Sequence, residues 1–463
     1  MSSVHLHVLH HGMWGNSAHL AEAARHLRER FPKPTEDTES EDPEVDILVC
    51  QSNHGEGTYD GIDWGAERAV EEIDEKIRTI EESGRKVTRF SITGYSLGGL
   101  VARYIVGILH HREFFSAIAP VNFTTIATPH IGLLKYSTWY SKLSNVLGPR
   151  LLARTGSQFY AKDNYADTGR PLVDIMSDPD RLFYKALASF SRIAIYANGI
   201  NDRTVPYVTA AFEPYDPFVA NDDKNLNLEF EKGYEPLLKT FSINDNAGEV
   251  EEHRPKQTFS AWWESKIPVP LLGPFREWRF PMNIVVMALL PVLVPVFLLL
   301  VPTRFMLSSR SSRARVKLLE GDQESMARRL VTIWATLEKN AEDIVEDILE
   351  ESILPATSRS ANDGDQVGNE AGSTPTLTDK LALTSALTSS SSPANAKSQP
   401  LLTPIQLRII TNLNTLPNLT KHVAFINSVR NSHSIIICRN AATMPAHRRG
   451  EGILRAWADG MRV

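Results

Sequence analysis

Ser91-Ile92-Thr93-Gly94-Tyr95-Ser96-Leu97-Gly98-Gly99-Leu100 joins two segments of different hydrophobic periodicity. The residues before it, 86–90, are β-branched and apolar, which predicts a strand. The residues after it, 100–106, have the apolar spacing of a helix. A strand, a G-x-S-x-G turn and a helix are the context in which a serine becomes an exposed nucleophile. In so tight a turn, side chains at Gly94 and Gly98 would clash with neighbouring backbone. Ser96 is therefore the candidate nucleophile.

Strand-like and helix-like segments alternate along the first two hundred residues. Strands are predicted at 4–9, 45–50, 122–127 and 192–197, and helices at 17–30 and 61–82. This alternation predicts an α/β fold with a mainly parallel sheet and helices on both faces. Residues 132–185 break the alternation after the end of a strand, so we expect them to form a lid-like insertion.

Composition restricts the class of protein. The chain has 463 residues, 42% of them hydrophobic, and a formal net charge of -6. The length allows more than one domain, and the negative charge argues against nucleic acid as a partner. Cys50 and Cys438 lie in apolar runs and give neither a disulfide framework nor a metal pattern, which fits a reducing compartment. The first ten residues do not resemble a secretory signal.

Residues 284–302 are uncharged and apolar throughout, and they reach the length of about 18 residues that membrane contact requires. Aromatic residues precede this run and basic residues follow it, which is typical of a membrane or lipid-droplet interface: Trp262, Trp263, Trp278, Phe280, Arg304, Arg310, Arg313, Arg315 and Lys317. Pro291 and Pro295 interrupt the middle of any helix. We therefore expect a kinked, re-entrant or monolayer-embedded element with both flanks on one side. The alternative is a buried core helix.

These features divide the chain into five parts. Residues 1–257 are the first part of the core, 258–317 the hydrophobic membrane or droplet segment, 318–355 a charged helix, 356–400 a disordered linker, and 401–463 the last part of the core. Within the first part, 211–253 is expected to be surface loop. Within the last part, we expect helices near 401–412 and 452–460 and strands near 423–426 and 434–438.

A serine nucleophile needs an acid and a base, which in α/β-hydrolases follow the serine in the order acid, then histidine. Asp202 lies in a turn directly after the predicted strand 192–197, where the carboxylate that orients the histidine belongs. Other candidates, Asp174, Asp178 and Asp180, lie within the expected insertion. Asp202 is therefore the preferred acid.

Four histidines follow Asp202: His253, His422, His433 and His447. His433 lies in a polar loop from which a side chain can reach the serine, so we rank it first. His422 begins a predicted strand and ranks second. His130 precedes the acid, so chain order disfavours it as the base.

The oxyanion that develops during acyl transfer needs two backbone N–H donors. One is predicted to come from Leu97, which follows the nucleophile, and the other from Met13 in the early glycine-containing loop. This chemistry needs no metal and no organic cofactor.

Five motifs in order give the chain a family resemblance: HGMWG at 11–15, GYSLGG at 94–99, ATPHIG at 127–132, NDRTVP at 201–206 and NSHSIIICR at 431–439. Over about 4–210 and 401–460, the chain resembles the fungal putative serine esterase family of the α/β-hydrolase fold. That family includes lipid-droplet phospholipases and monoacylglycerol lipases. By position, the resemblance implies Ser96 as nucleophile, Asp202 as acid and His433 as base.

The resemblance implies a serine lipase or phospholipase that cleaves acyl esters of glycerolipids, with phospholipids preferred. It places the protein at a lipid droplet or on the cytosolic face of an intracellular membrane, with a glycerolipid substrate. The alternatives are a monoacylglycerol lipase and, from another class, a non-catalytic droplet or membrane scaffold. The sequence leaves protein partners unknown.

Overall fold

The predicted alternation of strands and helices is confirmed in the computed structural model, which describes residues 2–32, 43–219, 226–243, 282–321 and 399–463. The strands are β1 Ser3–His10, β2 Glu44–Val49, β3 Lys86–Tyr95, β4 Ala119–Ile126, β5 Arg192–Asn198, β6 Leu226–Phe230, β7 Leu237–Ile243 and β8 Leu419–Ala424. They form one sheet in the order β2-β1-β3-β4-β5-β8-β7-β6. Because β8 pairs in parallel with β5, the two ends of the chain build one sheet.

The described helices are α1 Ala21–Arg30, α2 Ile62–Glu82, α3 Leu97–His111, α4 Trp139–Leu151, α5 Ala153–Phe159, α6 Leu172–Ile175, α7 Leu182–Ala188, α8 Tyr207–Ala210, α9 Met282–Gly321, α10 Pro404–Leu413 and α11 Glu451–Asp459. The pairs from β1 to β5 and the β5–β8 pair are parallel. The pairs of β7 with β8 and of β6 with β7 are antiparallel. This mainly parallel α/β architecture, with a serine turn after β3, is the fold of the α/β-hydrolases.

Helices cover both faces of the sheet, as predicted. The side chains of Val4, Leu6 and Val8 on β1 lie in the core that α2 and α3 close. On the opposite face, α1 and α11 close a second core, where the ring of Trp457 meets the imidazole of His7 at 5.8 Å. A parallel sheet requires this double cover because its strands connect through helices.

Two segments differ from the sequence-based prediction. Residues 226–243, expected to be loop, form β6 and β7 at the end of the sheet. These strands carry several polar side chains, so their periodicity is weak. Residues 434–438, expected to be a strand, form successive turns, including a bond from the Cys438 N–H to the Ile435 carbonyl. A short buried apolar run does not by itself distinguish these structures.

The insertion at 132–185 contributes mostly to the core. Leu172, Val173 and Phe183 are buried in the core that α2 and α3 close, and the Phe183 ring lies 4.9 Å from the Tyr104 ring on α3. Within the insertion, the large apolar side chains that face solvent lie on α4, with Trp139 75% exposed. A lid-like role for the insertion stays a prediction.

The apolar run at 284–302 lies within α9, a single helix of 40 residues. Of the forms expected for this run, the re-entrant one is wrong, because the helix continues past Pro291, Pro295 and Pro302. The monolayer-embedded form stays a prediction. Among the residues that the structure describes, no helix meets the length and hydropathy needed to span a bilayer. Most of the predicted linker at 356–400 and most of the charged helix at 318–355 lie outside the described residues.

Candidate active site

Ser96 occupies the sharp turn between β3 and α3. Its backbone has φ 55° and ψ −125°, a conformation that is strained for a residue with a side chain. The turn is tight: a Cβ at Gly94 would lie 2.3 Å from the Gly98 carbonyl oxygen, and one at Gly98 would lie 2.2 Å from the His10 carbonyl oxygen. Glycine is therefore required at both positions, as the sequence predicts.

The structure brings together three residues that are far apart in sequence. The Ser96 hydroxyl lies 3.0 Å from Nε2 of His433, and Nδ1 of His433 lies 2.9 Å from Oδ2 of Asp202. The neutral tautomer with its proton on Nδ1 donates to Asp202 and accepts from Ser96. This is the arrangement in which an imidazole removes a proton from a serine and a carboxylate holds the ring in place.

Asp202 is fixed by four hydrogen bonds. Oδ1 accepts from the backbone N–H groups of Thr204 and Val205 at 2.9 and 2.8 Å. Oδ2 accepts from the Asn198 amide at 2.8 Å, in addition to the His433 imidazole. Since Asn198 ends β5, the sheet itself sets the position of the carboxylate.

The loop that carries His433 is attached to the loop that carries the acid. The Ser432 N–H donates to the Asn201 carbonyl at 3.0 Å, and the Ser432 hydroxyl donates to the Ile200 carbonyl at 2.8 Å. The Asn431 side chain accepts from the backbone N–H of Arg203 at 3.3 Å. No local sequence pattern indicates these contacts, because they join segments about 230 residues apart.

The other candidate bases lie elsewhere. His422 is on β8, where its ring stacks on Tyr196 at 4.6 Å, and burial, with a smaller effect of Arg192, lowers its pKa to about 4. His130 is buried and bonds Thr125, and His447 accepts from the backbone N–H of Asn440. His253 lies outside the described residues.

The other candidate acids lie within the insertion and make contacts of their own. Asp174 makes ion pairs with Arg170 and Arg408 at 2.8 and 2.6 Å. Asp178 makes an ion pair with Arg170 at 2.6 Å, and Asp180 donates its backbone N–H to Asp178. Of the predicted acids, the structure brings Asp202 to the candidate base.

The early glycine-containing loop lies directly against the serine. A Cβ at Gly12 would be 2.7 Å from the Ser96 Cβ, so only glycine allows this approach. Leu97 is the first residue of α3, where an N–H has no acceptor within the helix. Met13 follows Gly12 in the adjoining loop. Both N–H groups therefore belong to segments that contact Ser96, and their role as oxyanion donors stays a prediction.

Helix α9 reaches this loop. The Trp14 ring lies 5.8 Å from the Phe305 ring, and the Trp14 indole N–H donates to the Tyr59 hydroxyl at 2.9 Å. Further along α9, the Ser308 hydroxyl donates to Glu56, and Arg315 pairs with buried Asp60 at 2.9 Å. The apolar helix is thus held against the edge of the candidate active site. Within the described parts of the chain, no cluster of three or more acidic, histidine or cysteine side chains is suited to a metal.

Comparison with known proteins agrees with this geometry. Residues 1–213 match the family model described as Putative serine esterase (DUF676). A putative lipase of Schizosaccharomyces pombe is 30% identical over 53% of this chain and 32% of its own length. The putative lipase ROG1 of Saccharomyces cerevisiae is 29% identical over 46% of this chain and 28% of its own length. The matches therefore cover about a third of these relatives.

A solved structure of a putative cell surface hydrolase from Lactobacillus plantarum is 13% identical over 46% of this chain and 75% of its own, with a TM-score of 0.25. We draw no inference from so low a score, and the fold assignment rests on the sheet order and the turn at Ser96. The family match includes Ser96 and Asp202, whereas His433 lies beyond it. Residues 1–213 of this chain are therefore similar to the putative serine esterase family.

Proposed function

We propose that the protein is a serine lipase or phospholipase that hydrolyses acyl esters of glycerolipids, with phospholipids as the preferred substrates. The observation that carries this proposal is the chain of contacts from the Ser96 hydroxyl to His433 and on to Asp202, at 3.0 and 2.9 Å. A fixed acid, an oriented imidazole and a strained serine are what nucleophilic acyl transfer requires.

The proposed reaction has two halves. The Ser96 oxygen attacks the ester carbonyl while His433 takes the hydroxyl proton, and the N–H groups of Met13 and Leu97 stabilise the oxyanion. His433 then gives the proton to the departing alcohol, leaving an acyl group on Ser96. Water, deprotonated by His433, releases the fatty acid and restores the serine.

Exposed apolar side chains support an aggregated lipid as the substrate. On α4, Trp139 is 75% and Tyr140 61% exposed, and on α9, Leu299 is 70% and Leu300 60% exposed. Single exposed apolar residues are normal, but a series on two adjacent helices indicates an interaction surface. Contact of α9 with Trp14, beside Met13, brings this surface to the candidate oxyanion loop.

The same surface supports a location at a lipid droplet or on the cytosolic face of an intracellular membrane. Tryptophan and tyrosine suit the boundary between lipid and water, and the basic residues after the apolar run suit anionic headgroups. In this proposal α9 lies in the lipid surface with its apolar half.

Hydrolysis of a defined lipid panel tests the function. Purified protein is given phosphatidylcholine, triacylglycerol and monoacylglycerol as dispersed particles, and released fatty acid is measured against the Ser96→Ala variant. We expect release of fatty acid that depends on Ser96, with phospholipid as the best substrate. Exclusive cleavage of monoacylglycerol would make the protein a monoacylglycerol lipase. No Ser96-dependent release from any lipid would support a non-catalytic scaffold.

A further inference from the structure

A cleft of about 450 Å³ lies between α4, α5 and the second half of α9, and no residue of the candidate active site lines it. Its walls include four cationic side chains and one carboxylate: Arg150, Arg154, Arg313, Lys317 and Glu320. The cleft therefore collects positive charge at a place that the esterase chemistry does not use.

Most of this charge is uncompensated. Arg154 pairs with Asp63 at 2.6 Å and with Glu320 at 3.1 Å, which neutralises it. Arg150, Arg313 and Lys317 have no carboxylate within ion-pair distance among the described residues. Within the described ranges, the hydrogen bond that Arg313 makes is to the backbone carbonyl of Arg150, at 2.8 Å. Three positive groups around one small cleft repel each other unless an anion joins them.

A second observation points to a ligand. Ser312 lines the same cleft and is fully buried, yet its hydroxyl has no hydrogen-bond partner among the described residues. A buried hydroxyl without a partner is costly, because it has given up its hydrogen bonds to water. A phosphate oxygen in the cleft would accept this hydrogen bond.

We propose that this cleft binds the phosphate of an anionic glycerophospholipid at the lipid surface. Arginine and lysine side chains with a hydroxyl donor form a phosphate site, because each contributes a charge-assisted hydrogen bond. The two helices that flank the cleft also carry exposed apolar side chains, Leu143 and Val146 on α4 and Met306 and Leu307 on α9. Charge and apolar surface together match a lipid headgroup with its acyl chains and do not match a free anion alone.

This inference goes beyond the esterase function, because it concerns binding and holds whichever ester is cleaved. The anionic lipid would fix α4 and α9 on the surface while a different lipid molecule enters the active site. Vesicle binding therefore tests the cleft separately from catalysis, in the Ser96→Ala background where no lipid is consumed.

The experiment compares the chain on vesicles of phosphatidylcholine with and without phosphatidate. The cleft variant carries Arg150→Ala and Lys317→Ala. Its matched control carries Lys142→Ala and Arg310→Ala, which remove the same charge from exposed positions of the same two helices outside the cleft. We expect the cleft variant to lose roughly tenfold in affinity for the phosphatidate vesicles and the control about twofold or less.

A third variant, Ser312→Ala, distinguishes a specific phosphate site from general electrostatic attraction. We expect roughly threefold weaker binding to phosphatidate vesicles with an unchanged or higher melting temperature, because the buried hydroxyl has no partner without the ligand. Unchanged affinity in this variant would contradict the proposal.

Two further results would overturn the proposal. An equal loss in the cleft variant and in its control would reduce the effect to general electrostatic attraction. The cleft would be a free-phosphate site instead if inorganic phosphate stabilised the chain through Arg150 and Lys317 while phosphatidate did not increase its affinity for vesicles. If inorganic phosphate displaces the chain from phosphatidate vesicles, and chloride of equal ionic strength does not, the proposed lipid-phosphate site is supported.

Discussion

The hydroxyl of Tyr95 donates a hydrogen bond to the backbone carbonyl of His433 at 2.9 Å, across 338 residues of sequence. The tyrosine ring also packs against the imidazole, with ring centroids 5.2 Å apart. Burial raises the pKa of Tyr95, so the hydroxyl keeps its proton and remains a donor. The residue before the candidate nucleophile thus positions the candidate base.

Tyr95→Phe removes this hydrogen bond and leaves the ring in place. We expect kcat to fall roughly fivefold, which corresponds to about 1 kcal/mol for one buried hydrogen bond. KM should change little, since the hydroxyl is buried and bonds a backbone carbonyl. Steady-state kinetics on a soluble short-chain ester measures both quantities.

Tyr104→Phe is the matched control, because it removes the buried hydrogen bond between the Tyr104 and Tyr165 hydroxyls in the core on the other face of the sheet. We expect it to lower the melting temperature without changing kcat. If both variants lowered stability and kcat alike, Tyr95 would have only a structural role.

Gly94→Ala should prevent the turn at Ser96 from forming. The new Cβ would lie 2.3 Å from a backbone carbonyl oxygen, and neither atom belongs to a flexible side chain. We expect activity to fall at least about a hundredfold, because the hydroxyl shifts relative to the imidazole. Gly57→Ala is the control, since its nearest contact would be an ordinary 3.4 Å. Equal activity of the two variants would contradict the proposed turn.

His422 provides a test of stability against pH. Burial, with a smaller effect of Arg192, lowers its pKa in the folded chain to about 4, whereas an unfolded histidine titrates near 6.5. Between these values the unfolded chain binds the proton more readily, so stability is full above pH 6.5 and falls as the pH drops toward 4.

His422→Phe keeps the stacking on Tyr196 and cannot be protonated. From pH 7 to pH 5, we expect wild type to lose up to about 2 kcal/mol more of its unfolding free energy than this variant. Urea denaturation at the two pH values measures the difference, and activity at pH 7 should be retained. The same loss in both proteins would show that His422 does not resist protonation in the fold.

The exposed side chains of α4 should affect activity only at a lipid surface. Trp139→Ser with Leu143→Ser removes large apolar groups that are 75% and 49% exposed. We expect activity on phospholipid vesicles to fall roughly tenfold, because less apolar area enters the lipid. Activity on a soluble ester should stay within about twofold of wild type if these side chains act only at the surface.

Leu407→Ser with Met444→Ser is the control for this pair, since both side chains are exposed but lie outside α4 and α9. It should retain vesicle activity. A similar loss in both double variants would remove α4 from the proposed interface.

Local sequence patterns predict the strand, turn and helix that carry Ser96, and they fail for other segments. The strand, turn and helix around Ser96 were predictable because two periodicities meet at glycines within a few residues. The hairpin of β6 and β7 was not, because polar side chains hide the alternation of short strands. The sequence wrongly predicts a strand at 434–438, because a short apolar run can be buried equally well in a strand or in successive turns.

Contacts across long sequence distances could not be predicted. Chain order and a polar loop singled out His433, but nothing in the sequence indicates that Tyr95 holds its carbonyl. The continuity of α9 past its prolines was likewise missed, because the prolines favour a break locally. The cleft at Ser312 is formed by helices more than a hundred residues apart, so no sequence window contains it.

Labelling with a fluorophosphonate probe measures the central claim, which is that His433 activates the hydroxyl of Ser96. Wild type should be labelled at Ser96, Ser96→Ala should not be labelled, and His433→Ala should react at least about a hundredfold more slowly. His422→Phe should label at the wild-type rate. Labelling that is absent from wild type, or that persists unchanged in His433→Ala, would contradict the account.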